Sequence, residues 1–80
     1  MFKCTMVFSG LDAEQAAAVV QDIGCDVVFD GKNHTFFGYF DLPVYVVDWT
    51  AKMTAYCFSL SEKVQLVNME LLGDVSSSED

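Results

Sequence analysis

The chain has 80 residues, of which 52% are hydrophobic and 14% aromatic, and its twelve acids against four lysines and no arginine give a formal net charge of -8. A single domain of this size buries roughly 60 to 65% of the surface that its unfolded form exposes, so the apolar content is needed for folding and does not indicate a membrane protein. Direct binding to nucleic acid is disfavoured, because phosphates are held by basic side chains and above all by arginine.

No run of about 18 apolar residues occurs, and the first ten residues lack the long apolar run and the cleavage site of a signal peptide. We therefore expect a cytoplasmic protein. Cys4, Cys25 and Cys57 lie far apart without a repeated spacing, which favours reduced, buried thiols over disulfides or a metal site. No metal or cofactor is predicted.

Two elements are predicted before residue 25. A strand is indicated by the alternation of large apolar residues on one side, namely Phe2, Cys4, Met6 and Phe8. The helix that follows begins at Asp12, whose carboxylate can cap it while Gln15 returns a hydrogen bond, and Gly24 can end it in the left-handed conformation. Its predicted buried stripe consists of Ala16, Val19, Val20 and Ile23.

A hairpin rich in aromatic residues is predicted next. Residues 25–30 and 34–40 are both typical of strands, and the turn sequence DGKN between them predicts antiparallel pairing. The second of these strands should place Phe36, Gly38 and Phe40 on one side and Thr35, Phe37 and Tyr39 on the other. His34, the single histidine, follows the turn and is expected to face solvent.

The last part of the chain predicts a helix from about residue 43 to 59 and a strand over 64–72. Pro43 suits a first helical turn, and Asp41 can accept hydrogen bonds from its free amides. Helical spacing joins Tyr45, Trp49, Met53, Tyr56 and Leu60. The β-branched run at 44–47 leaves an alternative, in which it is a strand and Asp48 caps a shorter helix. The final strand is apolar on both faces, with Val67, Met69 and Leu71 on one and Val64, Leu66 and Leu72 on the other.

The order strand, helix, strand, strand, helix, strand resembles that of ferredoxin-like domains. The resemblance implies one α+β domain over residues 1–73, a two-layer βαββαβ fold in which a four-stranded antiparallel sheet has two helices on one face. Residues 74–80 are expected to form a flexible acidic tail. The uncovered face of the sheet should carry Thr5, Val7, Val28, Phe37, Tyr39 and Leu66. Because a contiguous apolar patch usually marks a contact surface, we expect a homodimer or a docked partner there.

Known functional branches of this fold are matched poorly. The loop FSGLD lacks the CxxC of heavy-metal-binding domains, and the chain lacks the arginine of acylphosphatases. The segment NHTFFGYF is superficially similar to an RNA-recognition motif, with Phe37 and Tyr39 as stacking platforms, but the acidic charge favours a protein interface for these rings. No spacing joins His34 to a nucleophile, so we predict that the protein is not an enzyme.

In size and charge alone, the chain resembles phage-encoded inhibitors of host defence or transcription, including anti-CRISPR and DNA-mimic proteins. That resemblance implies a non-enzymatic interaction protein that docks on a basic surface of a nucleic-acid-handling protein in the host cytoplasm. The predicted contact acids are Asp12, Glu14, Asp22, Asp26, Asp30, Asp48 and Glu62. Two alternatives stay open. The acids could serve solubility only, or the chain could be a small-molecule-binding regulatory homodimer of the ACT kind, with Ser9 and Gly10 before the first helix.

Overall fold

The computed structural model describes residues 1–73, and the predicted tail over 74–80 lies outside them. The elements are β1 (Phe2–Ser9), α1 (Ala13–Val19), β2 (Asp26–Phe29), β3 (His34–Phe40), α2 (Pro43–Leu60) and β4 (Gln65–Leu72). All strand pairs are antiparallel and their order is β2-β3-β1-β4. This is the ferredoxin-like arrangement with two helices, so the predicted fold class is confirmed.

The hydrophobic core lies between the sheet and the helices. The predicted inner side of β1 is confirmed, since Cys4, Met6 and Phe8 are all buried. The rest of the core comes from both helices, β3 and the residue before β4, namely Ala16, Val19, Phe36, Val46, Trp49, Met53, Cys57 and Val64. Phe8 and Phe36 are diagonal neighbours on adjacent strands, since Phe36 pairs with Met6 and Phe8 with His34, and their rings meet edge to face with centroids 6.0 Å apart. The two central strands therefore anchor the fold.

The capping box predicted for α1 is present. The Asp12 carboxylate accepts a hydrogen bond from the Gln15 amide at 2.8 Å, and the Gln15 side chain accepts one from the Asp12 amide at 3.0 Å. A π-helical turn, Val20–Gly24, extends the helix, and Gly24 ends it with a φ of +86°. Glycine adopts this left-handed conformation without steric cost, so the predicted stop is confirmed.

We expect Asp12→Ala to lower the free energy of unfolding by about 1 kcal/mol, because it removes an acceptor for an otherwise free helical amide. Asp12→Asn is the matched control, since it removes the same charge but keeps an acceptor oxygen. Urea unfolding should show a lower midpoint for the alanine variant alone. Equal midpoints for the two variants would mean that the charge, and not the cap, determines the effect.

Helix α2 confirms the helical prediction for residues 44–47 and corrects two details. The residue before the helix is Leu42, and no side chain caps it, so the predicted role of Asp41 is wrong. Pro43 in the first turn lacks an amide proton and reduces the need for a cap. The buried stripe consists of Val46, Trp49, Met53 and Cys57, so the prediction that Tyr45 begins the stripe is also wrong.

The hairpin between β2 and β3 has the predicted turn but an unexpected histidine. The Asp30 carboxylate accepts hydrogen bonds from the amides of Lys32 at 2.8 Å and Asn33 at 2.7 Å, which lowers the pKa of Asp30. His34 is buried, against the prediction that it faces solvent. Its position on β3 places it on the same side as Phe36, and its ring stacks on Phe29 with centroids 4.5 Å apart.

Candidate interaction surface

The side of the sheet without helices, called the open face here, is organised in rows that run across the strands. Residues paired across antiparallel strands share a face, so the register assigns each row. One row contains Asp26, Phe37, Thr5 and Glu70, from one edge of the sheet to the other. The flanking rows are Tyr39, Lys3 and Leu72 on one side, and Val28, Thr35, Val7 and Asn68 on the other.

Two aromatic rings and one lysine form the centre of the open face. Phe37 and Tyr39 meet edge to face with centroids 6.4 Å apart. The Lys3 ammonium lies 5.1 Å from the Phe37 centroid and 5.8 Å from the Tyr39 centroid, within the range of a cation–π interaction. Tyr39 is 50% exposed. These rings therefore lie at the surface of the chain, where they already hold one cation.

Two carboxylates border this aromatic centre. Asp26 is on the edge strand β2 and faces Phe37, while Glu70 is on the opposite edge strand β4 and faces Thr5. Three strand spacings separate them, about 14 Å. Both acids are exposed. Aromatic rings at the centre and polar groups at the rim are the usual composition of a protein–protein contact surface.

Five of the six residues predicted for the uncovered face lie on it, namely Thr5, Val7, Val28, Phe37 and Tyr39. The assignment of Leu66 is wrong. Val7 pairs with Asn68 but Phe8 pairs with Leu66, so β4 contains one extra residue at this point. Such a bulge moves every residue beyond it to the other face, which places Leu66 beside Phe8 on the helix side.

All seven predicted contact acids are exposed, but four of them have a local role. Asp12 caps α1, Asp30 closes the hairpin turn, Asp48 pairs with Lys52 at 3.0 Å, and Asp22 accepts a hydrogen bond from the Tyr56 hydroxyl.

The carboxylates of Glu14, Asp26 and Glu62 make no hydrogen bond or ion pair within residues 1–73. Asp26 alone of these three lies on the open face. It is therefore the strongest of the predicted contact acids.

Sequence reasoning missed two polar residues of the open face, Lys3 and Glu70. Lys3 alternates with Phe2 and Cys4, so the period of β1 already places it opposite the core. Glu70 could not be assigned in the same way, since β4 carries apolar residues on both faces. Its side follows from its pairing with Thr5.

Residues 1–73 contain no cavity or cleft, and no group of three His, Cys, Asp or Glu side chains in this range could hold a metal ion. Neither helix of this part of the chain is both long enough and apolar enough to cross a bilayer. The small-molecule regulatory alternative stays a prediction.

Two solved structures are similar to the chain. A candidate thiamine biosynthesis/salvage protein from Thermotoga maritima aligns with a TM-score of 0.47 and 10% identity, over 95% of this chain and 87% of the other. A protein from Streptococcus pneumoniae aligns with a TM-score of 0.46 and 11% identity, over 96% and 93% of the two chains. No protein-family model and no curated protein matches the sequence. The fold assignment therefore stands on the strand order described above.

Two cysteines, Cys25 before β2 and Cys57 on α2, have thiols that resist ionisation. The pKa of Cys25 is raised to about 11, mainly by burial and to a smaller extent by the negative charge of Asp26. The nearby Trp49 indole N–H acts in the opposite direction, because it favours the thiolate. This N–H is buried and has no hydrogen-bond partner within residues 1–73. The pKa of Cys57 is also raised to about 11, mainly by burial and to a smaller extent by the charge of the Cys25 thiolate. Within residues 1–73 the three cysteines are free thiols, and Cys4 and Cys57 are buried as predicted, whereas Cys25 is only half-buried.

We expect native Cys25 to react slowly with iodoacetamide at pH 8. With a pKa of about 11, roughly one thiol in a thousand is ionised at this pH, and only the thiolate is nucleophilic. The folded pKa is raised above the ordinary value of 9.0, so this thiol contributes stability below pH 9 that is lost as the pH rises towards 11. Mass spectrometry of labelled protein checks the rate, with urea-unfolded protein as the reference. Equal labelling of folded and unfolded protein would contradict the expectation.

Proposed function

We propose that the chain is a non-enzymatic protein-interaction module that docks on a basic surface of a nucleic-acid-handling protein, in the manner of phage-encoded inhibitors that mimic DNA. The observation that carries the proposal is the open face, on which the aromatic pair Phe37 and Tyr39 lies between the carboxylates of Asp26 and Glu70. Such a partner would be met in the cytoplasm.

The chemistry of this face complements arginine and lysine. An arginine side chain can stack on an aromatic ring while its guanidinium binds a carboxylate, and Phe37 is directly opposite Asp26 in the sheet. Lys3 shows that the two rings already accept a cation at about the expected distance. The net charge of -8 adds long-range attraction to a basic partner. In this proposal the rings supply the buried contact, and the acids steer and orient the partner.

The proposal is tested by capture of partners from a lysate of the native host, followed by measurement of association rates with the captured protein. We expect the retained protein to be basic. Its association rate should fall steeply between 0.1 and 1 M salt, because the Debye length contracts from about 10 Å to about 3 Å.

A pair of charge reversals separates the open face from general acidity. Asp26→Lys changes the open face, whereas Glu62→Lys makes the same change of charge in the loop between α2 and β4. Both carboxylates are exposed and neither has a partner within residues 1–73, so both variants should fold. Asp26→Lys should slow association about tenfold and Glu62→Lys much less. If the two reversals slow association equally, or neither does, the open face is not the docking site.

A further inference from the structure

The two edges of the sheet are protected very differently. β2 has only four residues, with Asp26 at its start and Asp30 directly after it, and short charged strands resist pairing with another chain. β4 has eight residues, of which Glu70 is the one with a charge, and it contains no lysine and no proline. Within residues 1–73, β4 is therefore the less protected edge of the sheet, since its bulge at Val67 leaves residues 68–72 in regular register with β1.

β4 also exposes an unusual amount of apolar side chain. Its five large apolar residues are between 39 and 54% exposed, namely Leu66, Val67, Met69, Leu71 and Leu72. Met69 pairs with Met6, so it lies on the helix side of the sheet. Met6 is 1% exposed and Met69 is 52% exposed, which shows that the helices cover β1 and leave β4 uncovered.

We propose that β4 pairs antiparallel with β4 of a second copy of this chain, so that two sheets join into one of eight strands. A two-fold axis perpendicular to the sheet keeps both helix layers on the same side. Because paired residues share a face, this axis must lie midway between the two copies of one β4 residue. We place it between the two copies of Met69. Asn68 then faces Glu70 of the second copy, and this pair occurs twice.

The charge pattern of β4 selects this register. An axis through Glu70 would set the two carboxylates directly opposite each other, which is unfavourable. With the axis between the two Met69 residues, each Glu70 carboxylate faces an Asn68 side-chain amide, which can donate a hydrogen bond to it. Asn68 and Glu70 are both on the open face, so this contact does not disturb the apolar residues of the helix side. The strand therefore complements itself.

The helix side supplies the rest of the contact. On α2, Phe58 packs on Phe8 with centroids 6.0 Å apart, and Phe8 pairs with Leu66 of β4. Val47 lies three turns before Phe58 and hence on the same side of α2. In the dimer, Val47 and Phe58 of one copy lie opposite Val47 and Phe58 of the other. Between them lie Met69 and Leu71 of both β4 strands. A specific interface needs about 1,000 Å² of buried surface, and an edge strand of about 27 Å reaches it only with such flanking contacts.

The residues that follow β4 are a poorer occupant of the same edge. Residues 74–80 contain three acids and one large apolar residue, Val75, so they offer little to match the apolar side chains of β4. β4 of a second copy offers five large apolar residues.

The register is tested by engineered cysteines at two equally exposed positions. In the proposed pair, residue 69 faces residue 69, whereas residue 71 faces residue 67 and the Cα atoms of the two copies of residue 71 are about 14 Å apart. A disulfide needs Cα atoms within about 7 Å. Under mild oxidation, Met69→Cys should give a covalent dimer and Leu71→Cys should stay monomeric on denaturing gels. Both side chains are about half exposed, so both variants should fold.

Light scattering of the wild-type protein over a range of concentrations should show a dimer. Asn68→Asp places an acid opposite Glu70 at both ends and should weaken the dimer about tenfold, while Asn68→Lys should strengthen it. A monomer at all concentrations, or equal cross-linking at positions 69 and 71, overturns the proposal. A monomer would leave the proposed docking of a basic partner untouched, since Asp26, Phe37 and Tyr39 lie on β2 and β3 and Glu70 of β4 would remain exposed.

Discussion

Phe36→Ala is expected to lower the free energy of unfolding by about 3 to 5 kcal/mol, which is a large part of the stability of a domain this small. Phe36 is fully buried and packs on Phe8 in the two central strands, so its removal leaves a cavity lined by groups that cannot close it. Urea unfolding followed by circular dichroism measures the loss.

Tyr39→Ala is the control for this prediction, because it removes an aromatic ring from the opposite side of the same strand. Tyr39 is half exposed, so the loss should be within about 1 kcal/mol. Similar losses for the two variants would mean that β3 does not separate a buried side from an open one.

Gly10→Ala is expected to destabilise the protein by at least about 3 kcal/mol, for two separate reasons. Gly10 has a φ of +86°, a conformation that costs other residues about 1 to 2 kcal/mol. An alanine Cβ would also lie 2.8 Å from the Lys63 carbonyl carbon and 3.1 Å from the Val64 Cα. These are backbone atoms beside the buried Val64, so the loop between α2 and β4 would have to move.

Gly31→Ala isolates the conformational part of that effect. Gly31 has a φ of +95°, and a Cβ there would meet nothing within 4 Å. We expect a loss of about 1 to 2 kcal/mol for this variant. The difference between the two alanine variants, measured by thermal or urea unfolding, is the cost of the clash. If Gly31→Ala lowered the stability as much as Gly10→Ala, then contact between the Gly10 loop and the loop between α2 and β4 would not be the cause of the loss.

The local signals in this sequence predicted local structure well. The alternation in β1 and the spacing of Asp12 and Gln15 each involve residues that contact one another within a strand or a single helical turn. The element order then determined the fold, because few topologies satisfy short, right-handed connections.

Apart from the cap of α2, the errors concern positions that neighbouring residues cannot determine. Val44, Tyr45, Val46 and Val47 are all apolar, so nothing in that run shows which side of α2 faces the core. The bulge that moves Leu66 to the helix side comes from the pairing of β4 with β1, two strands far apart in sequence. His34 is buried on the helix side of β3, where its ring stacks with Phe29 and Phe36, which a turn signal cannot show.

The two proposals share Glu70 but otherwise use different parts of the same sheet. A second copy on β4 would leave Phe37, Tyr39 and Asp26 exposed and would place two such surfaces side by side in one continuous sheet. A partner with two basic patches would then be held at both, with a gain in apparent affinity that needs no new contact. Dimerisation would in this way strengthen the proposed docking.

Oxidative footprinting of tyrosines in the complex with the captured basic partner tests the docking face most directly. Tyr39 on the open face is 50% exposed and Tyr45 on α2 is 53% exposed, so in the free protein the two rings should be oxidised to a similar extent. We predict that binding protects Tyr39 and leaves Tyr45 reactive. Protection of Tyr45 with Tyr39 unchanged would contradict the account, because the partner would then be bound to the helices.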